Sequence, residues 1–370
     1  MKLNKYRINF KTLDVLRGVA ALYVVINHCR GHLKLGGSQL AEMMPISDWS
    51  VFTKIEYALL SLTNLGTEFV ILFFILSGFS IRHSLSGEKG SLKKFYFRRF
   101  VRLYLPFVLA LIWAYLIFQL LIVTNSPYVK GEISVFDSLT SAVQNVLYIP
   151  NGFLIPQFWS LSHEVIFYLL APLIMYSLKF QKYYVIVSFL LFILGLFLGK
   201  DIVNTNILSK FFLHYNIYFS VGVLTYHYQC LLKKIKILNS KYVFYILIFL
   251  VYPALVLSKS KMGGDNTMIY LFTTIASVIL IINTLIKETF SKFFYKLGEM
   301  SYTLYITHFA SVYLFVIILM NFNIIDQRNT DLWYVWVLGV IFSILVAIPF
   351  YVIGEKPTKK YLNYLRNKYI

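Results

Sequence analysis

Ten apolar stretches recur along this chain, at about 12–29, 66–82, 105–123, 159–178, 183–199, 211–231, 242–258, 267–286, 301–321 and 333–353. Each is about long enough for a helix to cross hydrocarbon. Inside a bilayer no water satisfies backbone N–H and C=O groups, so such stretches span as helices whose hydrogen bonds are internal. The expected fold class is therefore all-α: a polytopic integral membrane protein of about ten helices, a single membrane domain over 1–370. Composition agrees, since a chain that is 58% apolar and 18% aromatic cannot cover a soluble surface with polar groups. The first stretch is expected to stay in the mature chain, because Asp14 and Arg17 interrupt it and no small-residue cleavage site follows. The longest non-spanning stretches are 30–65 and 124–158. Within the first, 50–63 reads as a short amphipathic helix on the outer surface. The second carries turn chemistry at Pro127, Pro150, Asn151, Gly152 and Pro156.

The formal charge is +19, which raises the question of nucleic acid. The placement of the charges answers it. With the N-terminus inside, 25 Lys and Arg fall on cytoplasmic segments and 9 on outer ones, with Arg17 inside the first span. That asymmetry puts both termini of a multi-pass membrane protein in the cytoplasm. The excess is topological, and no nucleic-acid partner is expected. The C-terminal segment is basic with interleaved aromatics and is expected on the lipid of the inner leaflet. Cys29 and Cys230 fall near opposite membrane faces, too far apart for a disulfide, and read as packing residues.

Four groups of residues could do chemistry. Arg17 and His28 are eleven residues apart in the first span, three helical turns or about 16 Å, and point to the same side. Ionisable groups in a span are costly and usually functional. Asp14 can pair with Arg17 at i,i+3, and a neutral His28 can act as general base toward an alcohol. A hydrogen-bonded interfacial histidine is the plain alternative. The second group is Arg98, Arg99 and Arg102, clustered on the cytoplasmic side just before Pro106, which suits the start of the third span. Guanidiniums so placed hold phosphates, or anchor the chain to headgroups.

The third group opens the fourth span with Trp159. Ser160, Glu164 and Tyr168 form a polar stripe at i, i+4, i+8. Glu164 needs a partner about one turn into the membrane, and His28 is at comparable depth, so Glu164 is expected to orient His28. A structural Tyr–Glu bond is the alternative. His163 points away and reads as a headgroup-level residue. The fourth group is Ser301, Tyr305 and His308 on one face of the ninth span, with interhelical hydrogen bonding as the competing role. Ser77-Gly78 reads as a close-packing site. No cluster suggests a metal site, and the motifs of serine hydrolases, P-loops, dinucleotide folds and zinc proteases are absent.

With these elements in order, the chain resembles acyltransferase family 3, membrane proteins that O-acylate bacterial surface carbohydrates. The resemblance rests on LeuAspValLeuArgGlyValAlaAla leading to His28, PhePheIleLeuSerGlyPhe, ArgArgPheValArgLeuTyrLeuPro, TrpSerLeu with Glu164 and PheTyr, SerTyr–Tyr–His, and GluLysPro at 355–357. His163 stands where a small or β-branched residue is expected. The esterase-like domain that some relatives carry is not expected here. The resemblance implies an acyl-CoA donor, most simply acetyl-CoA, and a carbohydrate acceptor such as O-antigen, capsule or exopolysaccharide. Arg17, Arg98, Arg99 and Arg102 would hold the donor. His28, supported by Glu164, would be base or acyl carrier. A succinyl donor within the same family and a transporter using His28 and Glu164 as a proton relay are the alternatives. Repeat symmetry that would favour a transporter is not found.

Overall fold

The structure is a computed structural model that describes residues 9–87, 92–130, 132–174, 178–240, 242–261, 267–288 and 291–369. Parts of four expected segments lie outside these: 1–8 of the N-terminal one, 131 of the stretch 124–158, 175–177 of the fourth span and 370 of the C-terminal one. In chain order the helices are α1 (Phe10–Leu33), α2 (Gly37–Met43), α3 (Val51–Ser61), α4 (Gly66–Gly87), α5 (Leu92–Val123), α6 (Leu139–Val146), α7 (Trp159–Ile174), α8 (Leu178–Val203), α9 (Ile207–Lys210), α10 (Asn216–Leu232), α11 (Tyr242–Ile246), α12 (Tyr252–Lys261), α13 (Thr267–Lys287), α14 (Lys292–Glu299), α15 (Ser301–Asn321), α16 (Trp333–Phe350) and α17 (Lys356–Tyr369). Among the described residues no strand forms, only an isolated parallel bridge between Lys34 and Thr330. Nine helical stretches among them are long and apolar enough to cross a membrane. The chain is an all-α polytopic membrane protein.

Two boundaries differ from the sequence reading. The third span does not begin at Pro106. Its helix starts at Leu92 and carries Pro106 buried in its interior, so the arginine segment is helical and continuous with the span. A proline removes one N–H and loosens one turn. In that turn the Leu103 carbonyl accepts the Tyr302 hydroxyl at 3.1 Å. The fourth span is described as a 16-residue helix, Trp159–Ile174. The expected short helix at 50–63 forms as α3, with the Ser50 hydroxyl accepting from Thr53 N–H at 3.0 Å, which satisfies a free donor of its first turn.

Contacts gather into two compact units, Met1–Ala21 with Thr67–Lys89 and Leu170–Glu299, and Leu22–Gly66 with Gly90–Leu169 and Met300–Ile370. In the first, α4 and α10 cross backbone to backbone. A Cβ on Gly78 would sit 2.1 Å from the Phe219 carbonyl oxygen, and one on Gly222 would sit 2.1 Å from that of Ile75. Membrane helices gain no hydrophobic drive from lipid and rely on this close approach. The Phe74 and Phe219 rings, 4.7 Å apart, pack beside the crossing. Glu68, buried at the start of α4, takes both carboxylate bonds from Lys259, at 2.8 and 2.7 Å.

In the second unit α15 is the central helix, packed on α5 and α16. Of its spanning window 83% is buried in protein, against 11% for Gln181–Val203. Its first turn is held by Glu355, a buried carboxylate that accepts from Thr303 N–H at 3.1 Å and Thr303 Oγ1 at 2.7 Å and pairs with Lys359 at 2.8 Å. An anion at a helix N-terminus is stabilised by the unsatisfied N–H groups and the helix dipole.

Candidate active site

α1 runs unbroken through His28 and His32, one turn apart, and both rings face α15. The His28 ring centroid lies 5.2 Å from His308 and 5.8 Å from Phe309. His32 lies 4.8 Å from Phe309 and 6.1 Å from Tyr313. His308 is fully buried, and its Nδ1 is 2.7 Å from the Tyr305 carbonyl oxygen. A carbonyl only accepts, so Nδ1 carries the proton and Nε2 keeps its lone pair. That Nε2 is buried and has no hydrogen-bond partner. His28 is half-buried and hydrogen-bonds to no other described residue. The pair therefore combines an imidazole that can meet a substrate with a locked, sealed imidazole that can share a proton with it.

A second layer fixes α15 from behind. Tyr305 Oη and Ser160 Oγ are 2.7 Å apart, and Tyr305 Oη also donates to the Gln157 carbonyl at 3.0 Å. Gln157 Nε2 donates to the Ile306 carbonyl at 3.1 Å. Ser160 and Tyr305, far apart in sequence, thus meet, which is the interhelical hydrogen bonding given as the competing role of the fourth group. Glu164 takes a different partner from the expected one. It accepts from the Tyr168 hydroxyl one turn on, which is the Tyr–Glu alternative. Among the described residues the rings against His28 are those of His32, His308 and Phe309, and no interaction joins His28 to Glu164. Its field reaches Tyr148, Tyr302 and Tyr305 instead. Depth in the bilayer was the only warrant for the His28–Glu164 pair, and it does not specify which helix faces which.

Tyr148, in the loop before α7, stacks on Phe107 with centroids 3.8 Å apart and lies near the Tyr302 hydroxyl. Burial pushes its phenol well above the usual range, so it stays neutral. The Arg99 guanidinium lies over the rings of Tyr168 and Phe95, at 5.3 and 5.5 Å. Arg98 and Arg102 are half-buried on the same helix. Asp14 and Arg17 form the expected i,i+3 pair at 2.6 Å, and Arg17 also donates to Ser80 Oγ at 2.6 Å. Trp159 packs edge-on against His163, which is 2% exposed. His163 is thus a core residue and not a headgroup-level one. Ser301 is buried at the start of α15. Cys29 and Cys230 are free thiols, Cys29 buried 3.9 Å from Ser343 Oγ.

Sequence reasoning missed His32, Tyr313 and Arg328. Arg328 donates to the Tyr313 hydroxyl and lies over the rings of Tyr128 and Tyr313, at 5.3 and 5.6 Å. The i,i+4 spacing of His28 and His32 was a readable signal. Arg328 sits in a connecting segment, and nothing local marked it.

A family model described as an acyltransferase domain matches residues 10–352. A curated relative, the acyltransferase MdmB of Streptomyces mycarofaciens, is 36% identical over 173 residues, which is 45% of this chain and 39% of the relative. The match thus spans about two fifths of that relative's length. No solved structure matches.

Proposed function

From the premise that the chain belongs to the acyltransferase family 3, we propose that it moves an acyl group, acetyl in the simplest case, from acyl-CoA on the cytoplasmic side to a carbohydrate hydroxyl on the outer side of a bacterial inner membrane. The observation that carries this reading is the open His28 imidazole beside the buried, unbonded Nε2 of His308. His28 takes the proton of the attacking hydroxyl. The alkoxide oxygen bonds to the acyl carbon, the carbon–sulfur bond breaks, and CoA leaves as thiolate to be protonated. His308, its Nδ1–H fixed to a carbonyl, shares the proton that His28 accepts. Arg98, Arg99 and Arg102 bind the donor phosphates as forked donors. Glu164 is a positioning residue that acts through the tyrosines around α15. O-antigen, capsule and exopolysaccharide are the acceptor classes to examine.

The test is mass spectrometry of base-labile acyl groups on the envelope glycans of a deletion strain, complemented with wild type or with His28→Ala inserted at equal level. Restoration by wild type alone is expected, and the mass increment names the acyl group. Restoration by both proteins overturns the role of His28. No change on deletion overturns the carbohydrate acceptor.

A further inference from the structure

We propose that the first unit holds the phosphate of an anionic phospholipid in a cavity of about 400 Å³ between the N-terminal part of α8 and the C-terminal part of α10. Gln181, Lys182 and His227 supply its polar lining, and Val185, Val223, Leu224 and Tyr228 the rest. Behind Gln181 stands Arg82, 9% exposed, whose Nε donates to Gln181 Oε1 at 3.0 Å and whose guanidinium lies 5.6 Å over the Tyr226 ring. Arg82 and Lys182 are the charged groups that act on His227.

Two basic side chains, Lys182 and His227, therefore line one cavity with Arg82 behind it, and none of the three pairs with a carboxylate among the described residues. Elsewhere this protein pairs its buried charges: Glu68 has Lys259, and Glu355 has Lys359. A largely buried guanidinium that pairs with no carboxylate among the described residues is costly to hold charged, and an anion brought from outside lowers that cost. The volume falls in the range of ligand pockets, about 300–1,000 Å³. All three groups lie at the membrane end that the Lys and Arg distribution assigns to the cytoplasm, where basic pockets between helices bind phosphate headgroups.

The walls select a lipid over a soluble phosphate. Beyond Val185 the same helix presents Ile186, Phe189 and Leu190, all more than half exposed, as a continuous apolar face for acyl chains. A headgroup in the cavity would leave its chains against that face. A soluble nucleotide would leave the apolar lining unused.

Purified protein is titrated in native mass spectrometry with phosphatidylglycerol and with phosphatidylcholine of the same chain length. Preferential retention of phosphatidylglycerol is expected, and Lys182→Gln with His227→Gln lowers its affinity by about fivefold or more while phosphatidylcholine is unaffected. Should the double variant unfold, Lys182→Glu carries the same test, because Lys182 is exposed and its reversal disturbs no packing. Equal retention of the two lipids overturns the proposal, as does a phosphatidylglycerol preference that survives the substitutions. Displacement of phosphatidylglycerol by 3′,5′-adenosine diphosphate overturns the lipid assignment and makes the cavity a nucleotide-phosphate site.

Discussion

At the scale of single residues, His28 lies against His308, whose Nε2 is buried and without a hydrogen-bond partner. His28 and Asp14–Arg17 were readable because helical spacing fixes relations within one helix. The partner of His28 was not, because composition and depth leave open which helices touch. The geometry ranks the substitutions. His28→Ala lowers turnover by about 10²- to 10⁴-fold, the range for loss of a positioned base, at unchanged folding. Glu164→Gln costs less than His28→Ala and changes kcat and KM together, since it acts through Tyr168 and its neighbours. His308→Gln alters the pH profile of turnover while leaving donor KM unchanged, because it removes the imidazole that shares the His28 proton without touching the arginine cluster. Steady-state kinetics in proteoliposomes over a pH series checks all three. A His308→Gln profile that overlays wild type would reduce His308 to a packing residue.

At the scale of elements, the spans were legible from apolar length and their ends were not. Pro106 reads as a helix start in sequence, yet the helix passes through it and begins at Leu92, because flanking arginines and tyrosines extend a helix beyond hydrocarbon as readily as a loop does. The glycine crossing was partly legible: Ser77-Gly78 marked one side, while Gly222 was found only by its contact with Ile75. Gly78→Leu forces side chain into backbone and costs about 3 kcal/mol or more, beyond ordinary overpacking because a carbonyl and not a movable side chain is in the way. It lowers the thermal midpoint in detergent more than the same change at Gly31, where nothing lies near a new Cβ. The GluLysPro motif also finds its physical reason here. Glu355→Ala frees two donors at the first turn of α15 and costs about 1.5–3 kcal/mol, read as the same midpoint shift.

At the scale of the whole molecule, hydropathy sufficed to identify an all-α membrane protein, and charge asymmetry predicts its orientation. Exposed positions in a Cys29→Ala, Cys230→Ala background test that orientation. Glu132→Cys is expected to react with an impermeant maleimide from outside, and Lys360→Cys only after the membrane is opened. The reverse pattern would invert the whole topology and the donor side with it.

The burial of α15 has a consequence for how the protein is made. During synthesis this helix enters the bilayer before α16 and α17 exist, so for a time lipid occupies the place of half its neighbours. Three of its polar side chains are ready for that interval. Thr307 Oγ1 donates to the Thr303 carbonyl at 2.9 Å, Ser311 Oγ to that of Thr307 at 2.9 Å, and His308 Nδ1 to that of Tyr305 at 2.7 Å. Each is answered by the helix that bears it, and none needs a partner still on the ribosome. On these three side chains only the Nε2 of His308 is left unanswered, and it is the atom that the finished protein sets beside His28.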